Sequence, residues 1–341
     1  MEIKLLKAED VQRWNDFVFQ QPASTFFHRA EWKEVLERTY GHPMYFYYAE
    51  DAQGIKGVLP LGQVKSKIFG NSLISLPFFV YGGIIAKNDA AFDFLTAKAT
   101  VLAKELNVDY LELRTIKQQH NDWVVKNDVY ARFRKEIDPD IEKNMTNIPR
   151  KQRAVVRKGI KAGLNSEWDE DIDRFYESYA YSLHGLGTPV FPRKLFHILK
   201  EVFKQDCDVL SIYKDDQLVS SLMNFYFRDE VLPYYAGASV LARKYRAHDF
   251  MYWELMRRSC ERGIKWFDYG RSKVGTGPYS FKKNWGFEPE SLHYEYYLVN
   301  ADEIPNISPT NPKYSMFINA WKKMPFWTTK VIGPHIVKYL G

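Results

Sequence analysis

The sequence predicts a mixed α/β protein built as two copies of one module, followed by a short basic and aromatic tail. Three observations carry this. A hairpin, strand, helix, strand order occurs twice along the 341 residues, and elements in that order form a mixed sheet with a helix packed on it. Val108-Asp109-Tyr110-Leu111-Glu112-Leu113 and Ile264-Lys265-Trp266-Phe267-Asp268-Tyr269 each follow a helix end directly and carry an acid at the fifth place. Hydrophobic residues make up 45% and aromatics 16% of the chain, enough for a sizeable core and too many for a disordered polymer.

In the first copy, residues 28–40 read as a helix, with Trp32, Val35, Leu36 and Tyr40 at helical spacing. Tyr45 to Glu50 and Ile55 to Val64 read as a hairpin about Asp51-Ala52-Gln53-Gly54, and Ser72 to Ala86 as a further strand. A helix over Ala90 to Leu106 leads into strands at Val108 to Arg114 and Tyr130 to Ile137. In the second copy, Pro192 to Phe203 starts a helix with proline. Asp208 to Tyr213 and Leu218 to Phe227 form the hairpin, and Val231 to Ala238 the next strand. Asp249 to Arg262 is a helix closed by Gly263, followed by strands at Ile264 to Tyr269 and Ser291 to Val299. The expected domains are residues 1–140 and 141–300, with a tail over 301–341.

Composition narrows the function. Forty-eight Lys and Arg against 42 Asp and Glu give a net charge of +6, which permits an anionic partner without requiring one. Two cysteines, Cys207 and Cys260, cannot build a disulfide framework or a cysteine zinc site. The first ten residues lack the apolar stretch of a secretory signal. The longest apolar stretch, Ser72 to Ala86, is interrupted by Pro77, Gly82 and Gly83 and is too short to span a bilayer. A cytoplasmic protein is expected. No H-E-x-x-H or G-x-S-x-G occurs, so no metal is expected; His184 and His248 read as ordinary polar residues.

Three segments could carry chemistry. Arg150 to Lys161 reads as a helix whose Arg150, Arg153, Arg157, Lys158 and Lys161 share one broad face. No acid lies between Glu142 and Glu167 to neutralise it, and such a face suits phosphates. Asp268 to Phe287 reads as a strand end, a loop with Gly270, Gly275 and Gly277, and a short helix carrying Lys282 and Lys283. A glycine-rich loop lets backbone N–H groups approach an anion. From Pro305 onward there are five lysines and no acid, interleaved with Phe317, Trp321, Phe326 and Trp327 and interrupted by Pro325 and Pro334. Such a tail can lie against an anionic membrane surface, here the inner face of the inner membrane, or cap the second module.

These residues resemble the Fem-type (FemAB) family, over nearly the whole chain before the tail. Its proteins consist of two domains like N-acetyltransferases (GNAT). The best-known members move an amino acid from aminoacyl-tRNA to the peptide of a peptidoglycan precursor. Leu186-Gly187-Thr188-Pro189 and the run Asp268 to Leu298 are most similar to the subfamily associated with exosortase/PEP-CTERM and exopolysaccharide loci. The resemblance implies a catalytic Lys282 in Phe281-Lys282 and a Tyr235 facing the acceptor pocket in Tyr235-Ala236-Gly237. It also implies a role for Asp268 at the strand end. Arg150, Arg153, Arg157, Lys161, Thr188, Arg271, Tyr279 and Phe281 are the expected substrate-binding residues. Two family features are not evident: Phe191 lies near the place of the phosphate-binding arginine, and there is no long helical-hairpin insertion.

The function so implied is acyl or aminoacyl transfer to an amine of a cell-envelope or exopolysaccharide precursor. No tightly bound cofactor is expected, and the donor is aminoacyl-tRNA or acyl-CoA. An alternative is an acyl-CoA-dependent N-acyltransferase of an exopolysaccharide amino sugar. The GNAT cradle [QR]-x-x-G-x-[GA] corresponds here to Arg243-Lys244-Tyr245-Arg246-Ala247-His248, with Arg246 and His248 where glycines are expected. A further alternative is a catalytically inert GNAT-like scaffold docked at the membrane.

Overall fold

The computed structural model describes residues 1–304 and 312–341, with side chains from 317 onward in the second stretch. The first half runs β1 (Glu2–Leu5), α1 (Val11–Gln20), α2 (Glu31–Tyr40), β2 (Met44–Asp51), β3 (Gly54–Ser66), β4 (Gly70–Ser75) and β5 (Ile85–Ala86). Then come α3 (Asp89–Glu105), β6 (Tyr110–Thr115), β7 (Val124–Lys126), β8 (Tyr130–Glu136), α4 (Ile141–Asn147), α5 (Arg150–Lys161) and β9 (Leu164–Trp168). They are followed by α6 (Ile172–Leu186), α7 (Arg193–Phe203), β10 (Cys207–Lys214), β11 (Gln217–Phe227), β12 (Glu230–Ala238), α8 (Ala242–Tyr245) and α9 (Ala247–Glu261). The chain closes with β13 (Trp266–Lys273), α10 (Gly277–Asn284), β14 (Pro289–Ser291), β15 (His293–Leu298), α11 (Pro312–Lys323) and α12 (Phe326–Val337).

Two compact units result. The first holds Met1–Val129, the segment beginning at Ser291, and His335–Gly341; the second holds Tyr130–Glu290 and a C-terminal portion ending at Pro334. The first sheet has the order β1-β2-β3-β4-β6-β15-β7, with β5 beside β3, and the second β14-β8-β13-β12-β11-β10-β9. Each contains a parallel pair, β4 with β6 and β12 with β13. Each pair is joined by a helix that packs on the sheet, α3 or α9. Asn88 starts α3 by accepting a hydrogen bond from the Ala91 N–H at 2.9 Å, and Leu95, Ala99 and Leu102 bury its inner face. Met251, Leu255 and Met256 do the same for α9.

Two strands, β8 and β15, are exchanged between the sheets. β8 follows the first copy in sequence but pairs with β13, in register Phe267↔Lys135 and Asp268↔Arg134. β15 follows the second copy but pairs with β6, in register Tyr294↔Arg114 and Tyr296↔Glu112. The strands therefore cross the boundaries expected at 140 and 300. Other elements also depart from expectation. Ser72 to Ala86 is not one strand: β4 ends at Ser75, and Leu76 and Phe78 take positive φ before the short β5. Helix α6 was not anticipated. Asp171 caps it through the N–H groups of Asp173 and Arg174, both at 3.0 Å. Gly187 ends it at φ +77°, where an added Cβ would lie 2.6 Å from Ile318. In the tail, Pro334 lies inside α12 instead of breaking it. The stretch 305–311, at the start of the expected tail, lies outside the described residues.

Candidate functional site

In the second unit β12 and β13 pair only at Glu230↔Trp266 and Val231↔Phe267. Both strands run on, β12 held by β11 and β13 by β8. Beyond Val231 and Phe267 the two strands do not pair, and a wedge opens between them. Buried polar groups are normally paired, yet the Tyr269 and Ser272 hydroxyls on β13 have no hydrogen-bond partner among the described residues.

The sequence Asp268-Tyr269-Gly270 shapes the β13 side of this wedge. Register with β8 slips between Asp268 and Arg271. Gly270 takes φ +64°, and its N–H donates to Asp268 Oδ1 at 2.8 Å. A side chain with a Cβ is disfavoured in that conformation. The bulge gathers consecutive carbonyls onto one cation: Lys282 Nζ donates to Tyr269 O at 2.7 Å and Arg271 O at 3.1 Å, with Gly270 O at 3.4 Å. The Phe133 and Tyr269 rings flank the ammonium at 5.6 and 5.9 Å. Lys282 is 9% exposed. Burial pushes it down to about 7, against the attraction of Asp268 and with the repulsion of Arg271. It stands in the last turn of α10, because the helix already starts at Gly277.

Asp268 is fully buried. Its Oδ2 accepts from Arg132 Nε at 2.9 Å and Nη2 at 2.8 Å. Arg132 also reaches Glu230 at 3.6 Å, and Arg134 donates to the same carboxylate. Removing one member of such a buried pair leaves an uncompensated charge, a cost of about 3–5 kcal/mol.

Other expected residues are distributed around this core. Tyr279 packs edge-on against Phe133 at 5.2 Å, and Phe281 lies 5.5 Å from Tyr252 on α9. The Arg271 guanidinium sits 4.6 Å from the Tyr130 ring centre. Tyr235 is buried in a separate aromatic cluster with Tyr179 of α6 at 5.7 Å and Phe196 of α7 at 5.2 Å. Next to it, Gly237 lets the α6 backbone touch β12: an added Cβ would lie 2.4 Å from Tyr179 N. Thr188 is exposed beyond α6 and uses its N–H on Leu183 O at 3.0 Å.

Helix α5 packs on α9 through Gly159, where a Cβ would lie 2.9 Å from Phe250 Cβ. Arg150, Arg157 and Lys161 are exposed, and among the described residues none of them is paired with a carboxylate. Arg153 is half-buried and donates to Thr146 O at 3.2 Å. Ile160, beside the buried Gly159, is exposed. Between β12 and α9, Arg246 takes φ +58°, the left-handed conformation that glycine usually supplies. The backbone turn is thus made without the expected glycine.

Sequence reasoning missed Arg132, Glu230 and Phe133. Arg132 and Phe133 stand on β8, which follows the first copy in sequence but pairs with β13 of the second. Among the described residues no cluster of His, Cys, Asp or Glu is placed to hold a metal, and no helix is long and apolar enough to cross a membrane.

Residues 143–283 match the family profile described as acetyltransferase (GNAT) domain. No curated protein sequence matches the chain. Among solved structures, FemX is similar with a TM-score of 0.65 at 14% identity, covering 93% of this chain and 100% of its own. A tandem GNAT protein from the clavulanic acid biosynthesis pathway is similar with a TM-score of 0.53 at 11% identity, covering 89% and 99%. The C-terminal domain of a putative lysylphosphatidylglycerol synthetase from Agrobacterium fabrum has a TM-score of 0.55 at 12% identity, covering 85% and 91%. The chain therefore has a tandem GNAT-like fold, and its second unit carries the match to the GNAT acyltransferase domain.

Proposed function

We propose that the second unit transfers an acyl or aminoacyl group from an activated donor to an amine on a cell-envelope or exopolysaccharide precursor. The observation that carries this reading is the unpaired β12–β13 wedge with a buried lysine held at its β13 side. In such a transfer the amine nitrogen bonds to the donor carbonyl carbon, and negative charge builds on the carbonyl oxygen. The carbon–oxygen or carbon–sulfur bond then breaks, and the amine proton passes to the departing alcohol or thiol. Lys282 is the catalytic residue in this scheme. Its longest bond, 3.4 Å to Gly270 O, is the one to yield when the ammonium turns toward the developing oxyanion, and one such donor is worth about 10²–10³ in rate. Asp268 is a positioning residue, because both its oxygens are already engaged with Gly270 and Arg132. Tyr235 shapes the acceptor side from β12. Arg271, Tyr279 and Phe281 serve the donor side in this scheme, and Thr188 the acceptor side.

For the donor, the glycine-like turn at Arg246 and the GNAT match favour acyl-CoA, with Arg243 and Lys244 exposed beside that turn. Aminoacyl-tRNA is the second reading, and the carboxylate-free basic face of α5, with Arg150, Arg153, Arg157 and Lys161, favours it. Thermal-shift titration with acyl-CoA and with aminoacyl-tRNA separates the two donors. Mass spectrometry of envelope and exopolysaccharide from cells with and without the gene identifies the transferred group. A shift with neither donor and unchanged envelope masses would leave the inert scaffold as the better reading.

A further inference from the structure

We propose that the outward stripe of α12, with the end of α11, is a lipid-docking surface for an anionic bilayer. The inference is independent of the transfer reading. Helix α12 carries apolar residues on its outward side as well as on the side it buries. Its inward stripe is buried on its own unit: Thr329 is 2% exposed, and a Cβ on Gly333 would lie 2.8 Å from Val190 N. Its outward stripe carries Trp327 at 66% and Val331 at 59% exposure, one turn apart, with Ile332 beside them. The same outward side carries the exposed His335. Among the described residues no protein covers this stripe, and an exposed apolar stripe of this size marks a contact with protein or lipid.

The neighbouring surface extends the same chemistry. Phe326 of α12 lies 5.9 Å from Tyr181, and His184 Nε2 lies 3.0 Å from Met324 O, which ties the α11–α12 turn to α6. On this part of the unit Tyr181, Leu186 and Phe317 are also exposed.

Charge selects the partner. No Asp or Glu occurs from Pro305 to the last residue. Lys330 is neutralised by Glu177 at 2.8 Å, but Lys322 and Lys323, exposed at the end of α11, are not paired with a carboxylate among the described residues. A convex stripe of tryptophan and branched aliphatics beside unpaired lysines fits the boundary between anionic headgroups and acyl chains. The rings and branched chains enter the interface while the lysines stay among the lipid phosphates.

The test is sedimentation of the full chain at low salt with phosphatidylcholine vesicles, with and without about one third phosphatidylglycerol. Binding is expected to the anionic vesicles and to be at least tenfold weaker to the neutral ones. Replacing Lys322 and Lys323 together by Gln should lower partitioning about twenty-five-fold, at about fivefold per lysine. Trp327→Ala should weaken binding severalfold with an unchanged melting temperature, since the side chain is exposed. In vesicles with brominated acyl chains, fluorescence quenching should fall in Trp327→Phe, a variant that keeps an aromatic ring and the fold. Equal binding to neutral and anionic vesicles, no binding to either, or identical quenching in Trp327→Phe would overturn the proposal. So would a concentration-dependent dimer that Trp327→Ala abolishes in a protein that ignores vesicles, because the stripe would then be covered by a second copy.

Discussion

The two parallel strand pairs differ at the same structural point. In the first unit β4 and β6 pair at Ser72↔Tyr110, Leu73↔Leu111 and Ile74↔Glu112. The contact is then prolonged: Arg114 N–H donates to Ser75 Oγ at 2.8 Å, and Gly82 N–H to Arg114 O at 3.1 Å. The buried Arg114 side chain donates to Glu112 at 2.7 Å, Phe79 O at 2.6 Å and Gly341 O at 3.1 Å. In the second unit the pairing stops two residues in, and the carbonyls beyond it converge on Lys282. Both units keep an acid at the same place holding a buried arginine, Glu112 with Arg114 and Asp268 with Arg132. That ion pair is therefore scaffold. What distinguishes the units is whether the chain stitches the strands together past it.

The largest effect should come from the stitched side. Arg114→Met leaves Glu112 buried and uncompensated, and a loss of about 3–5 kcal/mol is expected in urea unfolding. The transfer rate per folded molecule should stay the same; a collapse of rate at intact stability would show that the first unit takes part in the chemistry.

Lys282→Met attacks the other side. A fall in kcat of about two orders of magnitude or more is expected, with a much milder effect for the exposed neighbour Lys283→Met. The pH dependence sharpens this. Lys282 is pushed down to about 7, below the ordinary lysine value of about 10.4. Between those values the unfolded chain holds the proton more often than the folded one. The cost of burying the charge is thus full below about pH 7 and relieved as pH rises toward 10. The stability of Lys282→Met relative to the parent should accordingly be most favourable at acid pH and decline with rising pH. If the ammonium is the catalytic form, kcat of the parent should drop as pH rises through about 7, and the variant should lose that inflection.

Smaller effects test the surroundings of the wedge. Gly237→Ala places a methyl group against the α6 backbone, and about 1–3 kcal/mol of destabilisation is expected from thermal melts. If it is tolerated freely, the α6–β12 contact does not define the acceptor side. Replacing Arg153 and Arg157 together by Ala should alter stability by no more than about 0.5 kcal/mol. The same change should reduce the salt dependence of polyanion binding by about one unit per lost contact; an unchanged salt slope would make α5 a merely solvated face.

The repeated hairpin, strand, helix, strand order was legible because most of its elements announce themselves locally, through alternation or through apolar spacing such as Trp32, Val35, Leu36 and Tyr40. The partner of a strand is not local information. Tyr130–Glu136 alternates in the same way whichever sheet it joins, so the meeting of Arg132 with Asp268 could not be read. Helix α6 went unseen because Ile172–Leu186 mixes Asp, Glu, Ser and Gly among its aromatics; its buried Phe175, Tyr176 and Tyr179 supply the helical spacing in retrospect. The run Asp268-Tyr269-Gly270 followed by Lys282 was legible as a pattern. Its cause, a bulge that turns consecutive carbonyls toward one ammonium, needed three dimensions.

The exchanged strands also set a timetable for synthesis. Thr115 Oγ1 on β6 donates to His293 O on β15 across 178 residues of chain. A ribosome adding about 5–20 residues each second delivers that partner roughly 10–35 s after β6 emerges. Until then the nascent first sheet carries a bare β6 edge, the kind of surface to which other chains add. A gene truncated between the units would make that interval permanent, leaving one sheet without β15 and, in the complementary fragment, β13 without β8 if the cut fell after Glu136. Co-expression of such fragments is then a complementation problem, in which each half is finished by a strand encoded in the other.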